Sequence, residues 1–220
     1  LKPPRRMYAA FVSTMDEMIG ELVGHLQERG LRENTIIIFQ SDHGHSTEQR
    51  TFGGGGSAGK YRGAKFSLFE GGIRVPAIIS WPGRLPEHQV RDQFATSVDW
   101  LPTLSALTSV PLPKHRLDGK SLVPVIKSLD AKSPHDVFHW QSGRGLGGKP
   151  QWAVRSGEWK LIGNPKDTSN KAPLTAADAF FLVNLETDPT EMTNVADQHP
   201  ETVQQLKKLH DKWTQEVTKQ

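Results

Sequence analysis

One short apolar run limits the possible folds of this chain more than any other segment. Residues 35–39 read TIIIF and lead directly into the polar residues 40–44, which read QSDHG. Because consecutive apolar β-formers are typical of strands buried on both faces, the run predicts a strand of a parallel sheet in an α/β protein. Ligands of such sheets bind at the carboxyl ends of the strands. Asp42 and His43 are therefore expected where a metal ion or substrate would be held.

An amphipathic helix is predicted before this strand. Between residues 7 and 29 apolar side chains recur at steps of three and four, and Gly30 follows as a helix-ending residue. The repeating positions are Met7, Phe11, Met15, Met18, Leu22 and Leu26. Methionines also occur on flexible binding faces, but this spacing favours packing in the core.

A glycine-rich segment follows the strand. Residues 44–64 include four consecutive glycines at 53–56, which is too much glycine for regular structure. The segment is either a mobile surface loop or an active-site rim, where glycine lets the backbone approach an anion closely. The neighbouring basic residues are Lys60, Arg62 and Lys65.

The second half of the chain has a different pattern. A helix over about 98–108 is predicted to be capped by Asp99, and residues 111–134 read as a proline-rich connection. Short strands are then predicted at residues 137–141, 151–155, 158–162 and 180–185. Residues 156–157 form a tight turn between the middle two, and a last helix begins at Pro200.

The composition is that of a globular segment. Apolar residues make up 35% of the chain and charged residues 23%. The net charge of +3 is too small, and the basic residues too scattered, for a nucleic-acid interface. No apolar run approaches the roughly 20 residues of a membrane span, and with no Cys there are no disulfides or thiolate zinc sites. We therefore expect no nucleic-acid or membrane partner. The change of pattern after Pro134 predicts two domains, residues 1–134 and 135–220.

The order of several short motifs resembles the sulfatases of the alkaline-phosphatase-like superfamily. The matching segments are residues 8–30, 41–44, 61–65, 70–76, 80–83, 99–103, 117–122, 158–162 and 185–191. The resemblance implies an α/β fold, namely the carboxyl-terminal half of a layered sheet core plus a small antiparallel sheet subdomain with a terminal helix. It also implies hydrolysis of sulfate monoesters, with a sulfated small molecule or glycan as substrate, and suggests a periplasmic or secreted location.

The resemblance assigns roles to three residues of the core domain. Asp42 and His43 match metal ligands, and the metal would be calcium. His43 stands where many relatives have Asn, and because calcium prefers oxygen ligands, a different metal or an intervening water stays open. Lys65 matches the catalytic lysine that binds the sulfate and contacts the leaving oxygen. A divalent cation and a lysine would stabilise the negative charge of the transition state.

Other charged residues nearby receive weaker interpretations. Glu70 and Arg74 are expected to hold their loop to the core. His45 and Arg62 match no role in the family.

A second substrate contact is predicted in the carboxyl-terminal subdomain. Residues 139–145 read HWQSGRG and combine aromatic rings, a cation and glycines. His139 would stack on a sugar and Arg144 would pair with an anion, although an ordinary hairpin connection is the alternative. The histidines expected on the surface are His115, His135, His199 and His210.

The nucleophile of this family is a formylglycine made from the Cys or Ser of a Cys/Ser-x-Pro-x-Arg element. The one match, residues 80–84 (SWPGR), follows an apolar run and is expected to be a strand end and turn. The nucleophile and the remaining metal ligands are therefore expected before Leu1, in a missing amino-terminal part of the same enzyme. The chain alone would be inactive. The alternatives are a non-catalytic module that binds an anion or a partner, and a phosphodiester or phosphonate ester hydrolase of the same superfamily.

Overall fold

Helices and strands alternate in the first part of the chain, and antiparallel strands dominate the second. The computed structural model describes residues 3–51 and 53–219, with all of their side chains except those of Arg50, Arg144 and Leu146. The α-helices are α1 (Pro3–Glu28), α2 (Glu70–Ile73), α3 (Trp100–Thr108), α4 (Val123–Lys127) and α5 (Pro200–Val217). The strands are β1 (Ile37–Gln40), β2 (Ala77–Ser80), β3 (Val137–Arg144), β4 (Pro150–Ser156), β5 (Trp159–Gly163) and β6 (Phe180–Asn184).

The strands form two sheets. β1 pairs with β2 in a two-stranded sheet, and β3 to β6 form a four-stranded antiparallel sheet in sequence order. The predicted small antiparallel sheet with a terminal helix is therefore confirmed. α4 lies within the predicted proline-rich connection, where Pro124 occupies the first turn of the helix and leaves no hydrogen bond unmade.

The described residues group into two compact units. One contains the described residues of Leu1–Gly24, Phe39–Ile78 and Val137–Gln220, and the other contains His25–Ile38 and Ile79–Asp136. The division into residues 1–134 and 135–220 stays a prediction.

The antiparallel sheet is covered by apolar side chains on both faces. One cluster consists of Leu68, Phe69, Ala153, Ile162, Phe181 and Val183. The other consists of Val154, Leu161, Leu182 and Leu206. Because side chains alternate along a strand, neighbours such as Leu161 and Ile162 belong to opposite clusters. Leu206 comes from α5, so the predicted packing of the last helix on the sheet is confirmed.

β3 is longer than the sequence indicated. A strand was predicted at residues 137–141 and a substrate-binding loop at residues 139–145, but Val137–Arg144 is one strand in which His139 pairs with Val154. The strand prediction is confirmed, and the loop prediction is wrong for residues 139–144, because the pairing with β4 continues beyond the aromatic residues. The pairing shifts between Ser142 and Arg144, which marks a bulge near the strand end.

α1 forms where it was predicted, but its apolar face is exposed. The helix has no buried residue. Met7 is 58% exposed, Phe11 78%, Met18 64% and Leu22 59%. The prediction that this face lies in the core is therefore wrong for the described residues, since none of them covers it. Each residue of β1 is likewise only half-buried, because β1 has one partner strand and not two in the part of the chain that is described.

Asp99 is buried but does not cap α3 with its side chain. Its carboxylate instead accepts hydrogen bonds from the backbone N–H groups of Thr96 and Lys120, each at 2.8 Å. The same carboxylate lies 2.7 Å from Nε2 of His135, which is 8% exposed. The surface placement of His135 is therefore wrong, because its ring lies inside the protein against the buried carboxylate of Asp99. Among the helices that the structure describes, none is long and apolar enough to cross a bilayer.

Candidate metal and sulfate site

The candidate metal ligands follow directly on β1. The strand ends at Gln40, and the backbone N–H of Ser41 donates to the carbonyl oxygen of Pro76 at 3.3 Å. The hydroxyl of Ser41 donates to the carbonyl oxygen of His43 at 2.9 Å, which closes a tight turn around Asp42. The predicted position of Asp42 and His43 at the carboxyl end of a strand is confirmed.

Gly44 lets this turn approach α2 closely. Its N–H donates to the carbonyl oxygen of Gly72 at 2.9 Å. A Cβ at position 44 would lie only 2.1 Å from the carbonyl oxygen of Gly71, so a larger residue would push the two segments apart. The backbone after Asp42 and His43 is therefore held against α2 without any side chain between them.

Asp42 and His43 are in direct contact. Nε2 of His43 lies 3.1 Å from Oδ2 of Asp42, and its Nδ1 lies 2.7 Å from the carbonyl oxygen of Gly44. Because a carbonyl can only accept, Nδ1 carries the hydrogen and a neutral ring presents its Nε2 lone pair to the carboxylate. A proton or a metal ion between Nε2 and Oδ2 would remove the repulsion between their lone pairs. A backbone carbonyl on the distal nitrogen is also how metal-binding histidines are oriented.

The two residues fit a divalent cation but do not complete its coordination. In the part of the chain that the structure describes, no group of three or more His, Cys, Asp or Glu side chains is arranged around a common metal position. A hard cation takes about six or more oxygen ligands, so further ligands must come from outside these residues.

Lys65 lies beside the same turn. Its backbone N–H donates to the carbonyl oxygen of His45 at 2.9 Å. Its ammonium donates to Oε2 of Glu48 at 3.1 Å and lies 4.9 Å from the ring centre of Phe66. The side chain of Lys65 is 19% exposed, so the cation is fixed by its neighbours and still reaches solvent.

Glu48 is a neighbour that the sequence analysis missed. Its Oε2 accepts hydrogen bonds from the ammonium of Lys65 and from the hydroxyl of Ser46, the latter at 3.2 Å. The glycine-rich segment thus supplies the counter-ion of the candidate sulfate-binding lysine. The only sequence signal was an acidic residue between Gly44 and the four glycines at 53–56, and that pattern is too common to interpret.

Arg62 is a structural residue. It is 1% exposed, and its guanidinium pairs with Asp167 at 2.8 Å and donates to the carbonyl oxygens of Glu191 and Ala172. It also lies 4.2 Å from the ring centre of Phe69. Arg62 therefore does not offer its positive charge to an anion beside the glycine-rich segment, because its donors are used inside the protein.

His45 remains without an assigned role. Burial lowers the pKa of its ring, and Lys171 and Arg5 lower it further. Its Nδ1 is buried and has no hydrogen-bond partner among the described residues. The ring is therefore neutral at pH 7 and lies partly buried in the segment between the metal ligands and Glu48.

His139 lies on the side of the sheet that meets α5. Its ring stacks on Trp213 at 5.1 Å between centres, with an angle of 9°. The ring of His210 stacks on Trp152 at 4.0 Å. Burial lowers the pKa of His139 to about 4, and it also lowers that of His210. His210 is 6% exposed, so its predicted surface position is wrong, whereas His115 and His199 are exposed as expected.

The side chain of Arg144 lies outside what the structure describes. Its backbone ends β3 opposite Pro150. The next residue, Gln151, is buried and donates from Nε2 to the carbonyl oxygen of Phe66 at 2.6 Å. The backbone of Arg144 is therefore linked through β4 to the residue that follows Lys65.

Ser80 is the last residue of β2. Its hydroxyl accepts a hydrogen bond from Nη2 of Arg32 at 2.5 Å. The next residues form a turn in which the N–H of Arg84 donates to the carbonyl oxygen of Trp81. The predicted strand end and turn are confirmed at this Ser-x-Pro-x-Arg match.

Comparison with known families assigns the chain. The sequence model of the sulfatase family matches residues 3–110. A second model, described as N-sulphoglucosamine sulphohydrolase, C-terminal, matches residues 63–219. The chain belongs to the sulfatase family. The predicted family is confirmed, and the two matches include Asp42, His43 and Lys65.

Several relatives extend over most of this sulfatase chain. It is 34% identical to arylsulfatase A of Homo sapiens over 214 residues, which are 89% of the chain and 41% of the relative. It is 31% identical to the N-acetylgalactosamine-6-O-sulfatase of Bacteroides thetaiotaomicron over 208 residues, which are 89% of the chain and 39% of the relative. The crystal structure of Ps i-CgsB in complex with k-i-k-neocarrahexaose superposes with a TM-score of 0.78 at 25% identity, over 97% of this chain and 44% of that one.

The sulfatase chain therefore spans about two-fifths of the length of these relatives. Sulfatase relatives are generally metal-dependent. The α/β fold of the alkaline-phosphatase-like class is confirmed by the solved structures.

Proposed function

We propose that this chain is the carboxyl-terminal part of an enzyme that hydrolyses sulfate monoesters, and that Asp42 and His43 contribute two ligands to its calcium ion. The observation that carries the proposal is the pair of electron donors 3.1 Å apart at the end of β1. A bound divalent cation would stabilise negative charge on the sulfate oxygens. Asp42 supplies the preferred oxygen ligand, and the carbonyl of Gly44 orients the His43 ring toward the same position.

Lys65 is proposed to bind the sulfate group and to contact the leaving oxygen. In the free chain the ammonium donates one hydrogen bond to Oε2 of Glu48. Because Lys has three donors, it can keep Glu48 and still donate to a sulfate oxygen. Glu48 thereby fixes the direction from which the ammonium approaches the ester.

A sulfated glycan is the proposed substrate class. The support is the sugar in the name of one relative, N-acetylgalactosamine-6-O-sulfatase, and the neocarrahexaose bound to Ps i-CgsB. His139 and Arg144 remain proposed substrate contacts. Arg144 is the better supported of the two, because its backbone is linked through Gln151 to the residue after Lys65. His139 can take part only if its ring leaves Trp213.

The remaining part of the sulfatase fold is the proposed partner of α1. The exposed face of α1 carries Met7, Phe11, Met18 and Leu22, an apolar surface of the kind that normally marks an interface. The described residues also leave the coordination of the metal ion incomplete. Both observations fit a chain that covers about two-fifths of its relatives.

Calcium titration of the 220-residue chain tests the metal assignment. We expect weak binding that Asp42→Asn reduces at least tenfold and that Asp16→Asn, an exposed control on α1, leaves unchanged. His43→Asn is expected to retain or strengthen calcium binding, because an amide oxygen suits calcium better than an imidazole nitrogen. If the Asp42→Asn variant binds calcium as tightly as the unmodified chain, Asp42 is not a calcium ligand.

Mass spectrometry and an aryl-sulfate assay on the protein from its native source test the reaction. We expect turnover together with an aldehyde-modified Cys or Ser outside residues 1–220, and no turnover by residues 1–220 alone. A native protein that carries no such modification and hydrolyses no sulfate ester would instead indicate a binding module.

A further inference from the structure

A buried cluster of charges joins α2 to the antiparallel sheet. Nζ of Lys160, in β5, lies 2.9 Å from Oε1 of Glu70 and 2.9 Å from Oε1 of Glu191. The side chains of Lys160 and Glu191 are completely buried, and that of Glu70 is 7% exposed. The other carboxylate oxygen of Glu191 accepts a hydrogen bond from the backbone N–H of Glu70. One ammonium and two carboxylates therefore fix the first residue of α2 to the sheet.

Burial of the cluster keeps its three charged side chains in contact. Burial raises the pKa of Glu191 to about 7. Burial would also raise the pKa of Glu70, but the ammonium of Lys160 holds it below its usual range, with smaller contributions from Arg155 and Arg74. A buried charge is strongly unfavourable unless its partners stay in contact. α2 therefore cannot shift on the sheet without separating these charges.

α2 in turn contacts the turn that carries the candidate metal ligands. Gly72 accepts the hydrogen bond of Gly44 at 2.9 Å, and the carbonyl oxygen of Gly71 occupies the space where a Cβ of Gly44 would lie. The carbonyl oxygen of Gly44 is also the partner of the His43 ring. A displacement of α2 would therefore reorient His43.

We propose that Lys160 is a positioning residue for the metal site, acting through Glu70, α2 and the Gly44 turn. This inference rests on the proposed function of Asp42 and His43. Lys160 touches neither of them, since its ammonium is held by Glu70 and Glu191. Through Lys160, the carboxyl-terminal sheet would help to set the geometry of the metal site. A structural ion pair without that role would stabilise the sheet and leave the turn unchanged.

The test compares Lys160→Met with Leu182→Ala in the 220-residue chain. Leu182 is completely buried on the opposite face of the same sheet, so its truncation destabilises the sheet without touching the cluster. Hydrogen exchange of the Gly44 amide is followed by NMR, with denaturant added to bring all chains to equal global stability. We expect exchange at Gly44 to be at least tenfold faster in Lys160→Met than in Leu182→Ala. Calcium affinity is measured on the same samples and should fall about tenfold in Lys160→Met alone.

The outcomes separate this inference from the proposed function. Equal Gly44 exchange in the two variants would overturn the positioning role of Lys160. If the unmodified chain binds no calcium, the metal assignment fails in this chain, and the Gly44 comparison still decides the role of Lys160. If Lys160→Met does not fold, Glu70→Gln replaces it, because the amide keeps the size of the side chain and removes its charge. The Gly44 amide is then expected to exchange at least tenfold faster in Glu70→Gln than in Leu182→Ala. Equal exchange rates in these two variants would overturn the inference.

Discussion

The helices α1 and α5 have similar amphipathic sequences but very different surroundings. α5 places Leu206, at 2% exposure, against the antiparallel sheet, with Val203 and Leu209 packed beside it. α1 is longer, 26 residues against 18, and has no buried residue. An apolar stripe therefore predicts a helix and the face that it can bury. It does not predict which surface packs against that face.

The two helices are also stabilised differently. Helices in proteins obtain most of their stability from tertiary packing of the apolar face. α5 has this packing, together with Pro200 in its first turn. α1 relies on its length and on a few tertiary contacts, such as the hydrogen bond from Arg5 to the carbonyl oxygen of Gly55.

Truncating one leucine in each helix should give the largest contrast. Leu206→Ala is expected to lower the free energy of unfolding by about 2–5 kcal/mol, because it leaves a cavity against the sheet. Leu22→Ala, at 59% exposure, is expected to change it by less than about 0.5 kcal/mol. Urea denaturation of both variants measures the difference. Similar losses in the two variants would mean that α1 is covered in solution.

Lowering the pH should reduce the free energy of unfolding by less than Leu206→Ala does, because a histidine packed against α5 takes up a proton. The pKa of His139 is near 4 in the folded chain and near 6.5 when unfolded, so the unfolded chain takes up the proton first. Stability is therefore complete above pH 6.5 and falls as the pH is lowered toward 4. The expected loss is roughly 1–2 kcal/mol, because the ring is only partly buried and solvent screens some of its charge.

His139→Phe is the control for this pH effect. Phe keeps the stacking on Trp213 but cannot take up a proton, so the loss between pH 6.5 and 4 should shrink. The comparison between the two chains is needed because Glu191, with its pKa raised to about 7, favours the folded state as the pH falls. An identical pH profile for both chains would show that His139 does not titrate in this range.

The smallest change in stability is expected on the exposed face of α1. Phe11→Lys combined with Met18→Lys should alter the free energy of unfolding by less than about 0.5 kcal/mol, since both side chains already face solvent. The same double variant should bind less of an apolar dye and self-associate less, because the exposed apolar patch is broken. A clear loss of stability would show that another molecule, such as a second copy, covers this face in the free chain.

Much of the fold could be predicted because its signals are local. The strand ending before Asp42, the turn at Gly157 and the four antiparallel strands follow from apolar runs and glycine positions. The placement of Asp42 and His43 at a strand end could be predicted for the same reason. The length of β3 could not, because only its pairing with β4 extends it through Arg144.

The buried charges could not be predicted from local patterns. Lys160 lies in a strand between Trp159 and Leu161, and its partners Glu70 and Glu191 are 90 residues before it and 31 residues after it in the chain. The partners of His135 and Arg62 are also far away in sequence. A charged residue appears polar and exposed in a sequence until the fold supplies the opposite charge.

The sequence by itself determined most of the helices and strands, where the candidate metal and sulfate ligands lie along the chain, and the family to which the motifs belong. These properties depend on side chains close together in the chain. The tertiary structure decided that no described residue covers the apolar face of α1, that Glu48 holds Lys65, and that Lys160 connects the sheet to α2. Those outcomes depend on which surfaces and charges meet after folding, and contacts between distant segments leave no periodic pattern in a sequence.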